Sequence, residues 1–466
     1  VNKRNIEVGV AGLALAGILT LLVGPFAGGN ALWATLGVFA LLAAAIWQWH
    51  AQPLHWQMLS AMILAILVFL FHTYHPLRHQ GPVLTLDWFF PLGDLFVRLL
   101  KMVIVPLVFS SILCGMAGLQ SLSQMKRLGF KAFAFYGVTS TCAILIGLFL
   151  SNGLRPGDGV SAFQNGRASV IDPDSLTTVG SGFDLLLRMI PLNPIQALAE
   201  GDMLGLIFFA LLLGLALMGL PAERRRDLMI PMERLFEAMT LMTSWIIRLA
   251  PLGVFGLILK ALTFTDTSLF AAIGKYMLTL VLGLTLHLIV VLPLLLKTMT
   301  GRPYFRQFRD MANAMMTAFS TSSSSATLPV TMECVEKNAG VSQKISGFIL
   351  PLGATINMDG TALYECAGVL FIAQVLGVEL SLFQQAMVVV TALLASVGAA
   401  GIPSAGLVMI FIVLDAVSLR GPEVNTLVGI MLAVDRPLDM MRTMVNVFSD
   451  TVGAVIIADS EDPKKG

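Results

Sequence analysis

Asp435, Asp439, Arg442, Asn446 and Asp450 stand at offsets 0, 4, 7, 11 and 15 in one apolar stretch near the end of the chain. At about 100° per residue these offsets fall inside an arc of about 80°, so a helix there carries them as one stripe. Leu438, Met441, Val445 and Phe448 lie off it, which predicts one ionic face and apolar faces elsewhere. Arg442 is the one cation on the stripe, and its planar fork suits bidentate capture of a carboxylate. Asp439, about one turn earlier, suits an ammonium. Opposite charges one turn apart match an α-amino acid with an acidic side chain. The competing reading is an internal salt-bridge network, although a purely structural ladder normally uses exposed Glu and Lys.

A second constellation is Gly353-Ala-Thr-Ile-Asn-Met-Asp-Gly-Thr361, which puts Asn357, Asp359 and Gly360 in the middle of an apolar span. The reading is an unwound turn with Gly360 as the breaker. Freed carbonyls, the Asp359 carboxylate and the hydroxyls of Thr355 and Thr361 then form an oxygen cage for a hard cation. A kink capped by Asn and Asp is the simpler alternative, but it leaves an ionised aspartate costing ~2.5–3.5 kcal/mol on insertion scales. Ser323, Ser324 and Ser325, flanked by apolar stretches and Pro329, can offer free N–H groups and hydroxyls to an α-carboxylate, aided by a half-helix dipole.

The elements that hold these groups must lie in a bilayer. Apolar residues are 56% and charged residues 12% of 466 positions, about half the ~25% charged fraction of soluble domains. Windows able to span fall near 8–25, 31–48, 56–72, 94–120, 132–152, 183–219, 230–263 and 269–297. Lys3-Arg4, Lys126-Arg127-Lys131, Arg224–Arg226, Arg302-Arg306-Arg309 and Lys464-Lys465 all fall on one side when spans are counted, the cytoplasmic side. Segment 154–182, rich in Gly, Ser and Asp, becomes an external loop. Lys3-Arg4 before an apolar run has the form of a signal peptide, but 8–25 with 31–48 makes an uncleaved hairpin that keeps the count consistent. Phe319–Val330 and Ala395–Gly406 each interrupt an apolar stretch with small residues and a proline, and read as re-entrant hairpins inserted from opposite sides.

Several features carry no chemistry of their own. A net charge of +1 without a basic block gives no footprint for nucleic acid. Cys114, Cys142, Cys334 and Cys366 lack CxxC spacing and support neither disulfides nor zinc. His72, His75 and His79 read as a wet loop, Arg98 and Lys101 as snorkelling or contact residues, and His287 as a hydrogen-bonded core residue.

The Ser-rich tip with ATLPVTM, the block PLGATINMDGTALYE, the tip GAAGIPSAG and DRPLDMMRTMVNVFSDTVGA together resemble the dicarboxylate/amino acid:cation symporter family, whose members include archaeal aspartate transporters and animal excitatory amino acid transporters. The resemblance runs from about residue 56 to 458. It implies an all-α polytopic membrane protein of glutamate-transporter-like fold, with two re-entrant helical hairpins, a discontinuous helix and, in this chain, an extra N-terminal helical hairpin. Residues 1–50 would be that extra hairpin, 51–130 and 154–266 scaffold helices with the external loop, and 131–153 and 267–466 an elevator-type transport domain in a homotrimer. Asp439 would hold the substrate amine and Arg442 its side-chain carboxylate, with Ser323–Ser325, Thr361, Gly401, Ile402, Gly406, Thr443 and Asn446 as further contacts. One sodium site would use Gly353, Asn357, Asn446 and Asp450. A second would use Thr355, Met358, Ser396, Val397 and Ala399, and a third Tyr136, Thr139, Ser140, Asn357 and Asp359. Glu365 matches the animal glutamate carriers, where it is linked to proton cotransport and potassium counter-transport. Archaeal members carry arginine at the position of Ser322 and animal members at that of Met440; this chain has neither.

The function expected is sodium-coupled symport of aspartate or glutamate across the plasma or inner membrane, by a multi-pass protein with both termini cytoplasmic. Proton-coupled C4-dicarboxylate transport on the same fold is the main alternative, opposed by Asp450 and the Tyr136/Thr139/Ser140 set. An intramembrane aspartyl protease built on Asp359 and Asp450 lacks a GxGD element, and Arg442 on the same stripe would keep a nearby carboxylate ionised.

Overall fold

The computed structural model describes residues 54–74, 86–117, 125–160, 187, 190–264, 268–398 and 405–461. The expected hairpin at 1–50, most of the external loop, His75, His79 and the second tip at 399–404 lie outside them. Among the described residues every regular element is helical. Leu54–Tyr74 is α1, Phe90–Ala117 α2, Phe130–Leu154 α3, Pro194–Glu200 α4, Met203–Met218 α5, Ala222–Arg248 α6, Ala250–Phe264 α7 and Ser268–Leu286 α8. A π turn at His287–Val291 leads α8 into α9, Leu292–Thr300. Among the described residues, four helical stretches, 86–115, 127–154, 268–300 and 422–461, are long and apolar enough to cross a bilayer.

Two expected spans are not single helices. Within 183–219, Gly201 adopts φ 71, and Asp202 then caps α5 by accepting from the Gly205 N–H at 3.3 Å. A left-handed glycine followed by a capping aspartate ends one helix and starts another. Window 230–263 is divided between α6, which begins at Ala222 and contains the arginine run, and α7, bent by 53° from it.

Two compact units can be distinguished. The first gathers described residues within Val1–Leu99, Ser244–Asp266 and Pro422–Val434. Inside it, Phe89 meets Phe255 edge-on at 5.4 Å and Lys260 pairs with Asp94 at 2.9 Å.

The second unit holds the remainder, including α3, α8 and the segments after Thr267 up to Gly421 and from Asp435 onward. After the short helix α10, Tyr304–Asp310, the arms α11 (Ala312–Thr321) and α12 (Ser324–Lys337) form a helical hairpin. The break is at Ser322, φ 52, and Ser323, extended, while Pro329 lies inside α12. α13 runs Gln343–Ile356 and α14 Asp359–Val375, so the expected unwinding occurs at Asn357–Met358. Gly360 is therefore not the breaker. It sits in the first turn of α14, where a Cβ would come within 2.9 Å of the Arg442 carbonyl and 3.0 Å of its Cα, a backbone contact that cannot give way. α15 (Leu382–Gly398) and α16 (Ala405–Ala416) flank the second tip.

The last described helix, α17, spans Pro422–Glu461. Off the stripe, Leu438, Val445 and Phe448 are buried against protein, while Met441 is half-buried; Phe448 packs edge-on against Tyr304 at 5.8 Å and tilted against Phe308 at 5.9 Å. α14 is covered on all sides too, every residue from Asp359 to Ala373 being buried.

Candidate substrate and cation site

The site lies where the break between α13 and α14 faces the stripe of α17, within the second unit. Asn446 ties the two together. Its amide oxygen accepts from the Gly360 N–H at 2.7 Å, and its amide nitrogen donates to Thr361 Oγ1 at 3.2 Å and lies 3.4 Å from Met358 Sδ. The Gly360 N–H belongs to a helix first turn that has no intrahelical acceptor, so Asn446 completes α14 while holding α17 against it. Around this pin, polar groups divide into two clusters.

The first cluster is built on Arg442, whose side chain is 1% exposed. Nη1 donates to Asp435 Oδ1 at 2.8 Å, and Nη2 reaches Asp439 Oδ1 at 2.7 Å and Asp435 Oδ2 at 3.4 Å. The Tyr364 ring covers the guanidinium 3.9 Å from its centroid, a cation–π contact that orients the plane of the fork. Gly406 lines the same space; a Cβ there would stand 3.5 Å from the Arg442 guanidinium carbon and 2.9 Å from a Thr361 methyl. Thr443 donates to the Asp439 carbonyl at 2.8 Å.

The hairpin tip is more committed than its sequence suggests. Ser323 caps α12 by accepting from the Ala326 N–H at 3.2 Å, and its own N–H donates to Thr321 Oγ1 at 3.3 Å. Ser324 and Ser325 occupy the open first turn, the former buried and the latter exposed. Their N–H groups are the ones a bound carboxylate can use.

The second cluster is rich in oxygen. Asp359 accepts from Ser140 at 2.6 Å and Ser449 at 2.7 Å, and its Oδ2 lies 3.0 Å from His287 Nε2. Asn357 donates to Asp450 at 2.8 Å and Ser449 at 3.1 Å, and accepts from Thr139 at 3.4 Å. Tyr136 donates to the Ile349 carbonyl at 2.9 Å. Gly353 passes so close to Asp450 that a Cβ would overlap the carboxylate and come 2.9 Å from Tyr136 Oη. Neither Asp359 nor Asp450 is paired with Lys or Arg among the described residues. No three His, Cys, Asp or Glu converge there as a metal-ligand group. Carboxylate, hydroxyl, amide and carbonyl oxygens fit a hard cation and do not fit zinc or copper.

Tyr136, Thr139, Ser140, Gly353, Asn357, Asp359 and Asp450 are thus brought together. Thr355 and Ser396 are not joined: each hydroxyl donates back to its own helix, to the Leu352 and Leu393 carbonyls, and no hydrogen bond links them to each other or to Val397. Ala399, Gly401 and Ile402 lie outside the described residues. Glu365 is fully buried in α14, and neither carboxyl oxygen has a hydrogen-bond partner among the described residues.

Sequence reasoning missed three participants. Ser449, which bridges Asn357 to Asp359, lies about 20° beyond the edge of the stripe, and a wider arc would have included it. Tyr364 precedes Glu365 but sits in an aromatic and apolar run that gives no hint of Arg442. His287 is buried and hydrogen-bonded as expected, yet its partner is the cation-site carboxylate.

Residues 54–460 match the Sodium:dicarboxylate symporter family. The chain belongs to this family. Among its relatives, the proton/glutamate-aspartate symporter of Escherichia coli strain K12 is 32% identical over 413 residues, covering 88% of this chain and 93% of its own. Excitatory amino acid transporter 3 of Mus musculus is 35% identical over 455 residues, 86% and 85% respectively. Neutral amino acid transporter B(0) of the same species is 36% identical over 430 residues, 83% and 76%. This symporter is a multi-pass membrane transporter and not an enzyme, which removes the protease reading, and its family implies coupling to a cation.

Proposed function

We propose that this symporter carries an acidic amino acid, aspartate or glutamate, together with sodium. The observation that supports it best is the combination of a guanidinium beside a carboxylate on α17 with two buried carboxylates, Asp450 about two turns further along α17 and Asp359 at the start of α14, that have no Lys or Arg partner among the described residues. Arg442 and Asp439 complement an anionic side chain and an ammonium. Asp359 and Asp450 call for positive charge that no Lys or Arg among the described residues supplies, and sodium would supply it. Neutral-carrier relatives support amino acids in general, whereas the buried Arg442 favours the acidic class.

Further parts of the proposal follow from the resemblance. Three sodium ions would be held by the Asp450 set, the Asp359 set and the Thr355/Met358/Ser396 set. Glu365 would carry a proton, because an ionised carboxylate buried without partners costs several kcal/mol and a proton removes that cost; potassium would return in exchange. The α11–α12 and α15–α16 hairpins would be re-entrant and belong, with 131–153, to a moving domain spanning 267–466, carried elevator-fashion on scaffold helices 51–130 and 154–266 of a homotrimer. The protein would lie in the plasma or inner membrane with both termini cytoplasmic.

Uptake of labelled L-aspartate and L-glutamate into proteoliposomes tests the core of this reading. A sodium gradient at equal pH is expected to drive accumulation. Accumulation driven by a pH gradient alone, with no response to sodium, would overturn sodium coupling in favour of a proton-coupled carrier, and uptake of labelled C4-dicarboxylates in place of the amino acids would favour the dicarboxylate reading.

A further inference from the structure

Asp439 divides its two oxygens between two different arginines. Oδ1 takes the Arg442 bond at 2.7 Å, and Oδ2 lies 3.7 Å from Arg436 Nη1. Arg436 precedes Asp439 by three residues on α17, and its side chain is only 18% exposed. Its buried Nε has no hydrogen-bond partner among the described residues. At 3.7 Å the Arg436 contact is an ion pair but too long for a hydrogen bond, so this guanidinium has unspent donors beside the carboxylate proposed to receive the substrate amine.

Asp435 and Asp439 contribute two negative charges and Arg442 one positive; Arg436 brings the buried group to neutrality. A bound acidic amino acid then adds a net charge of −1, whereas its amide analogue adds none. Arg442 Nε has no hydrogen-bond partner among the described residues, and bidentate capture of the ligand carboxylate by Nε with the neighbouring Nη2 draws Nη2 away from Asp439. Unless another cation faces Asp439, that move strips the carboxylate of its strongest bond inside a site of low polarity.

We infer that Arg436 is a selectivity-determining positioning residue of the substrate site, taking over Asp439 when Arg442 turns to an acidic substrate. A shift of about 1 Å would convert its long ion pair into a charge-assisted hydrogen bond. Arg436 need not touch the ligand; it acts through Asp439 by holding that carboxylate in place. This inference rests on the proposed substrate roles of Asp439 and Arg442.

The test compares L-aspartate with L-asparagine, which have the same shape and differ in one charge, by competition binding to the purified full-length protein in sodium. Arg436→Gln is expected to weaken aspartate at least tenfold and asparagine less than threefold, with the ligand-free melting temperature retained. Arg436→Lys is expected to keep aspartate within about threefold of the unmodified protein. An equal loss for both ligands, or no change in aspartate affinity, overturns the inference by reducing Arg436 to a structural or idle residue. Should Arg436→Gln not fold, the lysine variant decides alone: loss of aspartate preference there overturns the inference, and its retention upholds the need for positive charge. Failure of the unmodified protein to bind aspartate would instead refute the proposed function, a result read before any variant is made.

Discussion

Removing Arg442 perturbs two properties that can be separated. In Arg442→Ala, Asp435 and Asp439 lose three hydrogen bonds from a guanidinium that is 1% exposed, and both carboxylates stay buried. Breaking a buried pair from one side typically costs about 3–5 kcal/mol, most of it the penalty on the charge left behind. Asp435→Asn removes one of those charges in near-identical shape. The double variant Arg442→Ala/Asp435→Asn should therefore recover a good part of that loss, giving a coupling of about 1.5–3 kcal/mol in the cycle. Thermal or denaturant unfolding of the four proteins in one detergent measures it. Aspartate binding should behave differently, being lost in Arg442→Ala and not recovered in the double variant. Strictly additive stabilities would refute the Asp435–Arg442 pairing, and undiminished aspartate affinity in Arg442→Ala would refute the substrate role.

Two further outcomes are expected, one at the oxygen-rich second cluster and one at Glu365. Gly353→Ala puts a methyl group into the Asp450 carboxylate, so overpacking of about 1–3 kcal/mol should appear as a weakened sodium affinity, read as a rise of tenfold or more in the sodium concentration for half-maximal aspartate binding; unchanged sodium dependence would remove Asp450 from the cation site. Glu365→Gln should abolish the response of uptake to external pH while leaving sodium-dependent binding measurable, and a pH response equal to that of the unmodified protein would refute proton carriage by Glu365.

What could be read from the sequence was local and periodic. The stripe on α17, the interruption at Asn357–Met358 and the serine tip each left a mark within about a dozen residues, and each is present. Contacts between distant segments left none. His287 and Asp359 are 72 positions apart and Ser140 and Asp359 219 apart; no spacing rule joins a lone histidine in an apolar helix to a carboxylate in another. Helix limits failed where short-range caps overrode hydropathy, as at Gly201-Asp202, and where a glycine was read for its backbone freedom when its missing side chain was the point. Gly360 serves close approach, and the helix restarts one residue before it. The ionic stripe of α17 with apolar residues on its other faces was legible, whereas its enclosure by protein was not: Leu438, Val445 and Phe448 are buried in the folded chain.

That enclosure has a consequence for biogenesis. Asp435, Asp439, Arg442 and Asp450 are all buried by protein in the folded symporter, but as the chain is synthesised each would meet hydrocarbon at a cost of ~2.5–3.5 kcal/mol near the bilayer centre. α17 alone is therefore a poor substrate for one-at-a-time insertion. Its partners along α14 precede it by about eighty residues in the sequence, so the broken helix is already made when α17 emerges. The two are expected to enter as a unit, with the Gly360–Asn446 bond among the first contacts to form.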